Sequence, residues 1–281
     1  MNHTKLAVFD IDGTIAQNGT IDLQALDGIK SLQVKGYITS VCTGRGYHPV
    51  RLALGDAYDD VISDDALLVL EHGTRITDKQ GNTVFAEYFD DKIIEHIFDF
   101  IRSNIEIVRH SWTNPDTIDQ KVLVWCRDQA FYDSEVAKNS DWTDVFMSPL
   151  SEYKQRLLRQ KVTNIEFKLL PHVQVQSLKL AFTRTPINAI FQDSNMGFIK
   201  NNTNKGIAIL YLLKHLGIAY KDVLVAGNGM NDVEMLNLSV GHRILVGPES
   251  NRLALMPYLS EHESLTHVRS PQDLGKLLKS L

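Results

Sequence analysis

Short apolar segments alternate with amphipathic segments over the first 70 residues. Strands are predicted over Lys5–Phe9 and Tyr37–Thr43, and between them apolar residues recur at helical spacing after Asp22, a predicted helix N-cap. Strands that are separated by helices in this way pair in parallel and are covered by helices on both faces. The pattern therefore predicts an α/β fold with a Rossmann-like parallel sheet, whose functional loops follow the carboxyl ends of the strands.

The same alternation continues briefly and then resumes late in the chain. Further strands are predicted at Val61–Ile62 and Leu67–Leu70. After residue 188, a helix over Lys205–Leu216 is closed by Gly217 and leads into a strand at Val223–Ala226. The two ends of the chain are therefore expected to build one sheet together.

The middle of the chain has a different pattern. From Gly73 onward the sequence predicts a hairpin over residues 74–89, a helix with an apolar stripe from Ile93 to Ile101, and strands at Lys121–Cys126, Val162–Leu169 and Val173–Phe182. This mixture favours an inserted α+β domain over two domains in tandem. The predicted core covers residues 1–78 and 189–281, and the predicted insertion covers residues 79–188.

Composition excludes several kinds of partner and location. The formal net charge is −5 and the charged residues are scattered, so no basic stripe is available for nucleic acid. The two cysteines, Cys42 and Cys126, lie far apart in sequence, which favours a reducing compartment. The N-terminus lacks the apolar stretch of a signal peptide, and no apolar run approaches the roughly 20 residues that span a bilayer. We therefore expect a cytoplasmic protein without nucleic-acid or membrane partners. Its oligomeric state is left open.

Two carboxylates directly follow the first strand, in the segment FDIDGT at Phe9–Thr14. Residues i and i+2 of an extended segment point to the same side, so Asp10 and Asp12 are held close together. Their repulsion costs free energy unless a cation or a chemical task offsets it. The pair therefore indicates a cation site or a catalytic site.

Three further stretches lie where a predicted core strand ends or a helix begins: VCTGR at Val41–Arg45, NTNKG at Asn202–Gly206 and VAGNGMND at Val225–Asp232. Together with FDIDGT, in this order, they resemble the haloacid dehalogenase-like (HAD) superfamily, specifically its Cof-like phosphatases of the sugar-phosphatase type. The resemblance covers the predicted core. The middle block lies where such proteins carry a large α+β cap, which is expected to close over the substrate.

The resemblance and the chemistry of phosphoryl transfer assign a role to each residue. Asp10 is the candidate nucleophile, which would form an aspartyl phosphate. Asp12 is placed to protonate the leaving oxygen and then to deprotonate the attacking water. The hydroxyl of Thr43 and the amide of Gly44 can bind a phosphoryl oxygen, and Lys205 adds a positive charge beside the nucleophile and the substrate.

Arg45 has two interpretations that the sequence weighs equally: it contacts the substrate phosphate, or it forms an ion pair on the surface. The resemblance also implies a Mg²⁺ cofactor held by Asp10, Asp12 through its backbone carbonyl, Asn228 and Asp232. Relatives commonly carry Gly-Asp where this chain has Gly-Asn, so one negative charge is lost from the site. We expect weaker metal binding, or a different division of labour between Asn228 and Asp232.

The leading functional hypothesis is a magnesium-dependent phosphatase that hydrolyses a small phosphate monoester, with sugar phosphates as the class that the resemblance suggests. A sugar phosphomutase of the same fold is the nearest alternative. A second alternative is a catalytically impaired sensor of a phosphorylated ligand, which the asparagine at position 228 motivates.

Overall fold

The computed structural model describes residues 4–114, 116, 121–137, 141–170, 173, 178, 182, 185–192, 194–260 and 265–281. Two compact units divide the chain, one formed by residues 1–85 and 204–281 and the other by residues 86–203. We call them the core unit and the inserted unit.

The first part of the core unit begins with a strand and a capped helix. The N-cap Asp22 accepts hydrogen bonds from the backbone N–H groups of Gln24 and Ala25 at 2.9 and 3.0 Å, as the sequence predicts. The helices and strands of this part are β1 (Lys5–Phe9), β2 (Ala16–Gln17), β3 (Thr20–Ile21), α1 (Leu23–Val34), β4 (Tyr37–Val41), α2 (Tyr47–Leu54), α3 (Tyr58–Val61), β5 (Leu67–Leu70), β6 (Arg75–Asp78) and β7 (Thr83–Ala86).

The inserted unit is α+β, as expected from its sequence. Its elements are α4 (Asp91–Ser103), β8 (Val108–Thr113), β9 (Val122–Cys126), α5 (Gln129–Ala137), β10 (Thr143–Phe146), α6 (Leu150–Leu157), β11 (Ile165–Leu169), β12 (Ile187–Gln192) and β13 (Asn195–Lys200). The strands form one sheet in the order β10-β9-β8-β11-β13-β12. The apolar stripe of α4, from Ile93 to Ile101, is buried with the aromatic side chains of Phe167 and Phe198.

The second part of the core unit begins with a helix whose two ends match the prediction. Asn204 caps α7 by accepting from the Ile207 N–H at 2.8 Å, and Gly217 ends the helix in the left-handed region at φ 66°. The elements of this part are α7 (Lys205–Leu216), β14 (Val223–Gly227), α8 (Val233–Leu236), β15 (His242–Val246), α9 (Glu249–Leu255), β16 (Leu265–Val268) and α10 (Pro271–Ser280).

The core sheet has the order β16-β15-β14-β1-β4, and all of its pairings are parallel. Alternate residues of β1 face opposite sides: Phe9 packs with α1 and α10, whereas Val8 packs with α7. The predicted α/β fold with helices on both faces is thus confirmed. Phe9 lies beside Ala226 of β14 on one side and Val41 of β4 on the other, so the residues that follow these three strands emerge at one edge.

Besides strand ends that shift by one to three residues, two details differ from the sequence predictions. Val61–Ile62 is not a strand, because Val61 ends α3 and the Ile62 N–H bonds the Tyr58 carbonyl at 2.9 Å. The predicted insertion covers residues 79–188, whereas the units divide after residues 85 and 203. The difference follows from strand pairing, because β7 joins β5 and β6 in one sheet and β13 pairs with β11 and β12.

Most of the strand predicted at Val173–Phe182 lies outside the described residues. Within the part of the chain that the structure describes, none of the helices combines the length and the apolar character that crossing a membrane requires.

Candidate active site

Asp10 and Lys205 meet at the edge where β1 ends. The Asp10 N–H bonds the Ala226 carbonyl at 2.9 Å, which ties the residue to β14. Lys205 is the first residue of α7, and its Nζ donates to Oδ1 of Asp10 and to Oδ1 of Asp232, both at 2.6 Å. Lys205 and Asp232 are fully buried and Asp10 is 5% exposed. One ammonium group therefore bridges two buried carboxylates that are distant in sequence.

Asp232 also organises the loop after β14. Its second oxygen, Oδ2, accepts the backbone N–H groups of Asn228 at 2.8 Å and Gly229 at 2.9 Å. A side chain at Gly227 would not fit, since a Cβ there would lie 2.6 Å from the Cβ of Asp232. Both oxygens of Asp232 are thus occupied by N–H donors, so this carboxylate orients Lys205 and shapes the loop.

The buried cluster of Asp10, Asp232 and Lys205 contains two carboxylates and only one ammonium group. Burial and the neighbouring Asp232 charge raise the pKa of Asp10 while Lys205 lowers it, and the net result is a pKa of about 7. For Lys205, burial lowers the pKa, but the Asp10 and Asp232 carboxylates outweigh burial and raise it above its ordinary value. Lys205 therefore stays an ammonium group, and a further cation would offset the charge that remains.

Asp12 lies in a different environment from Asp10. The Arg45 guanidinium donates to it with two hydrogen bonds, from Nε to Oδ2 at 2.7 Å and from Nη2 to Oδ1 at 2.9 Å. The side chains of Arg45 and Asp12 are 33% and 43% exposed. Arg45 thus forms an ion pair whose partner is the predicted general acid, and the phosphate contact of Arg45 stays a prediction.

Thr43 and Gly44 follow β4 at the same edge of the sheet. Thr43 is buried, its N–H bonds the Val69 carbonyl at 3.0 Å, and its hydroxyl accepts the Arg45 N–H at 3.2 Å. This small turn fixes the loop that carries the predicted phosphate contacts.

Asn228 lies against the turn after β1. The Thr14 hydroxyl and Oδ1 of Asn228 are 3.3 Å apart, and a Cβ at Gly13 would lie 2.1 Å from Nδ2 of Asn228. Gly13 also has φ +81°, a conformation that glycine adopts without strain. The structure thus brings Asn228 beside FDIDGT, where the relatives' aspartate is expected.

A family model described as haloacid dehalogenase-like hydrolase matches residues 7–254. The chain belongs to the haloacid dehalogenase-like hydrolases. This membership confirms the predicted enzyme class, a HAD-like phosphoric monoester hydrolase, and the resemblance on which it was based.

Two curated relatives are named HMP-PP phosphatase. The one from Citrobacter koseri is 26% identical over 270 residues, which cover 91% of this chain and 89% of the relative. The one from Yersinia pseudotuberculosis is 22% identical over 250 residues, which cover 86% and 84% of the two chains.

Solved HAD structures share the fold over nearly the whole chain. The subclass IIB sugar phosphatase BT4131 superimposes with a TM-score of 0.74 at 15% identity, covering 99% of this chain and 98% of its own. A haloacid dehalogenase-like hydrolase from B. subtilis gives a TM-score of 0.75 at 17% identity, covering 99% and 100%.

The oxygen donors of this HAD hydrolase fit a hard cation such as Mg²⁺. Lys205 donates to Oδ1 of Asp10, which leaves Oδ2 without a donor among the described residues. The backbone carbonyl of Asp12 and the amide oxygen of Asn228 belong to the same edge. Elsewhere in the described residues too, no group of three or more His, Cys, Asp or Glu side chains is arranged as a metal site. Asp232, the fourth ligand that the resemblance implies, already accepts N–H groups with both oxygens. The candidate set therefore relies on the carboxylate of Asp10 with carbonyl and amide oxygens, and a ligand role for Asp232 stays a prediction.

The residues after β5 are absent from the predicted site. Glu71, His72 and Gly73 follow this strand, and the first two contact the Thr43–Arg45 loop through backbone hydrogen bonds. The available signal was their position, since Glu-His-Gly directly follows a predicted core strand as the other motifs do.

Proposed function

We propose that this protein is a Mg²⁺-dependent phosphatase that hydrolyses a small phosphate monoester, a sugar phosphate by resemblance, through an aspartyl phosphate on Asp10. The observation that carries the proposal is the buried contact of Lys205 with Asp10 and Asp232, both at 2.6 Å. Buried charges are costly unless they are compensated, and two carboxylates around one ammonium group are only partly compensated. A cation and a phosphoryl group are the partners that this arrangement suits.

Two displacements at phosphorus make up the proposed reaction. Oδ2 of Asp10 attacks the phosphorus while Lys205 holds Oδ1, the P–O ester bond breaks, and the leaving oxygen takes a proton from Asp12. Asp12 then takes a proton from water, whose oxygen attacks the phosphorus. The Asp10–phosphorus bond breaks, which releases inorganic phosphate and restores both carboxyl groups.

The remaining residues bind and orient the substrate in this proposal. Thr43, the Gly44 amide, Arg45 and Lys205 contact phosphoryl oxygens. Asp10, the Asp12 carbonyl and Asn228 would hold the magnesium ion. When bound, the ion neutralises negative charge on the phosphoryl group. Asp232, whose oxygens already accept three N–H groups, acts on the site through Lys205.

One observation favours the sensor as a second candidate. Asn228 supplies an amide where the relatives' pattern has a carboxylate, so the cation would be bound by one negative charge fewer. A protein with weakened metal binding could retain phosphate binding and lose turnover.

A substrate panel with added Mg²⁺ tests the proposal. It contains sugar phosphates and, because the curated relatives are named HMP-PP phosphatases, esters that end in a diphosphate group. We expect release of inorganic phosphate that is lost in Asp10→Asn. Thermal protection by the esters without turnover would instead support the sensor, and an isomerised sugar phosphate would support the mutase.

A further inference from the structure

Three consecutive residues after β5 have left-handed backbone conformations. Glu71, His72 and Gly73 have φ values of 53°, 58° and 98°. Asn18, beside Gly19 in a hairpin turn, is the one other non-glycine residue with positive φ in the described part of the chain. A non-glycine residue is strained in this conformation, which persists only where the surroundings enforce it. Contacts with neighbouring residues must therefore stabilise this conformation of Glu71 and His72, beside the sheet edge that carries Asp10.

Backbone hydrogen bonds tie this segment to the predicted phosphate-binding loop. The His72 N–H donates to the Thr43 carbonyl at 3.0 Å, and the Glu71 N–H donates to the Arg45 carbonyl at 3.1 Å. In a trans peptide the C=O and N–H groups point in opposite directions. The N–H of Gly44 belongs to the same peptide group as the Thr43 carbonyl. Because that carbonyl points toward the His72 N–H, the Gly44 N–H points away from the His72 N–H. The segment thus fixes the direction of the amide that we assign to the phosphoryl group.

The His72 ring packs directly against Gly44. A Cβ at Gly44 would lie 2.4 Å from Cε1 and 2.6 Å from Nε2 of this ring. His72 is 6% exposed. Burial, together with the charge of Lys205, lowers the pKa of His72 to about 3, so the ring is neutral and adds no charge beside the ammonium group. The ring therefore acts as an uncharged spacer behind the loop.

Gly73 connects the segment to the start of α7. A Cβ at Gly73 would lie 2.3 Å from the backbone oxygen of Asn204, the residue that caps α7 and precedes Lys205. The three residues thus touch the Thr43–Arg45 loop on one side and the beginning of the Lys205 helix on the other.

We propose that Glu71–His72–Gly73 is a positioning element that sets the Gly44 amide relative to Lys205, with the His72 ring holding the loop in place. This inference rests on the proposed function, because it assumes that the loop binds a phosphoryl group. His72 touches neither the substrate nor the reacting atoms in this scheme. It acts through Gly44 and is a positioning residue.

A double-mutant cycle on His72 and Gly44 tests the proposal. The probe is inorganic phosphate with Mg²⁺, measured as an inhibitor of p-nitrophenyl phosphate hydrolysis and directly by titration calorimetry. We expect His72→Gly to weaken phosphate binding about tenfold, the order of one hydrogen bond to a charged group, with KM raised more than kcat is lowered. Gly44→Ala should weaken binding at least as much, because its methyl group meets the ring.

The double variant gives the decisive result. If the ring positions Gly44, the alanine methyl occupies part of the space that the ring leaves, and the double variant binds phosphate no worse than Gly44→Ala alone. Independent effects would multiply to about a hundredfold loss, which would overturn the proposal. Unchanged phosphate binding in His72→Gly would overturn it as well.

Two controls separate positioning from general destabilisation. Ile29→Val removes one methylene from the core away from this edge, lowers the stability of the fold, and should leave phosphate binding unchanged. If His72→Gly fails to fold, His72→Asn is used, because asparagine tolerates the left-handed conformation while its side chain is too short to replace the ring. It should show the same weakening, and wild-type binding in it would overturn the proposal.

The same measurements separate failure of the inference from failure of the proposed function. A wild-type protein that binds phosphate without turnover refutes the phosphatase, and the cycle is then read from calorimetry alone. Binding in the wild type with no effect in the variants overturns the inference only. A wild-type protein that neither binds phosphate nor hydrolyses esters overturns both.

Discussion

Asp10 and Asp12 are two residues apart in sequence and lie in opposite environments. Asp10 is buried and contacts Lys205, whereas the side chain of Asp12 is 43% exposed and accepts two hydrogen bonds from the Arg45 guanidinium. Carboxylates that share a site can perform different chemistry when their surroundings differ. The contrast supports a division in which the oriented, desolvated Asp10 attacks phosphorus and the accessible Asp12 exchanges protons with the leaving group and water.

The largest expected effect comes from Asp10→Asn. The amide keeps the shape of the side chain and its oxygen can still accept from Lys205, but it cannot act as the nucleophile. We expect turnover to fall by at least about a thousandfold, with thermal stability unchanged or higher because one of two buried carboxylates is removed. Steady-state kinetics and thermal denaturation measure both. Near-wild-type turnover would refute the nucleophile assignment.

Lys205→Met tests whether the buried ammonium group compensates the charges of Asp10 and Asp232. The substitution leaves Asp10 and Asp232 buried together without their cation, so we expect a loss of about 3–5 kcal/mol in the free energy of unfolding. Chemical denaturation measures it. Adding Asp232→Asn to Lys205→Met removes one of the two uncompensated buried carboxylates, so the double variant should regain part of the lost stability. A Lys205→Met variant as stable as the wild type would contradict the charge balance described here.

Arg45→Met tests the half-exposed ion pair between Arg45 and Asp12. A half-exposed ion pair contributes only about 0–1 kcal/mol to stability, so the unfolding free energy should change little. The KM for a phosphate ester should rise about tenfold, because a charged contact to the substrate is lost. Arg45→Lys is the matched control, since it keeps the charge and loses the two-pronged geometry. If stability fell as far as in Lys205→Met, the distinction between the two carboxylates would fail.

Asn228→Asp has the smallest expected effect. It adds one negative charge beside the turn after β1, and we expect the Mg²⁺ concentration for half-maximal activity to fall several-fold, on the order of 1 kcal/mol. A titration of activity with Mg²⁺ measures it, and Asn251→Asp, near the Asn228 backbone, is a control for added charge alone. Unchanged or weaker metal dependence would count against Asn228 as a ligand.

Local sequence signals predicted the elements that present the site. β1 and α7 have the predicted bounds, because a short buried run defines the strand while Gly217 defines the end of the helix. The same logic placed Asp10 and Lys205 where a core strand ends and a helix begins. Their direct contact was expected from the resemblance, and it joins residues from the first and last thirds of the chain.

Long-range pairing accounts for what the sequence did not reveal. The hydrogen bonds from Arg45 to Asp12 depend on β1 and β4 lying side by side, and neither residue type specifies that choice of partner. The Val61–Ile62 prediction was wrong because two apolar residues fit a strand or a helix end equally well. The position of His72 against Gly44 requires a left-handed backbone at a non-glycine residue, and the local sequence does not predict that conformation.

The most direct test of the account is to trap the phosphorylated enzyme. An Asp12→Ala variant should still accept a phosphoryl group from a substrate with a good leaving group, and it should lose that group slowly because no base activates water. Acid quenching and peptide mass spectrometry should then find one phosphoryl group on Asp10. Phosphate release without a phosphorylated enzyme, or a phosphoryl group on another residue, would contradict the account.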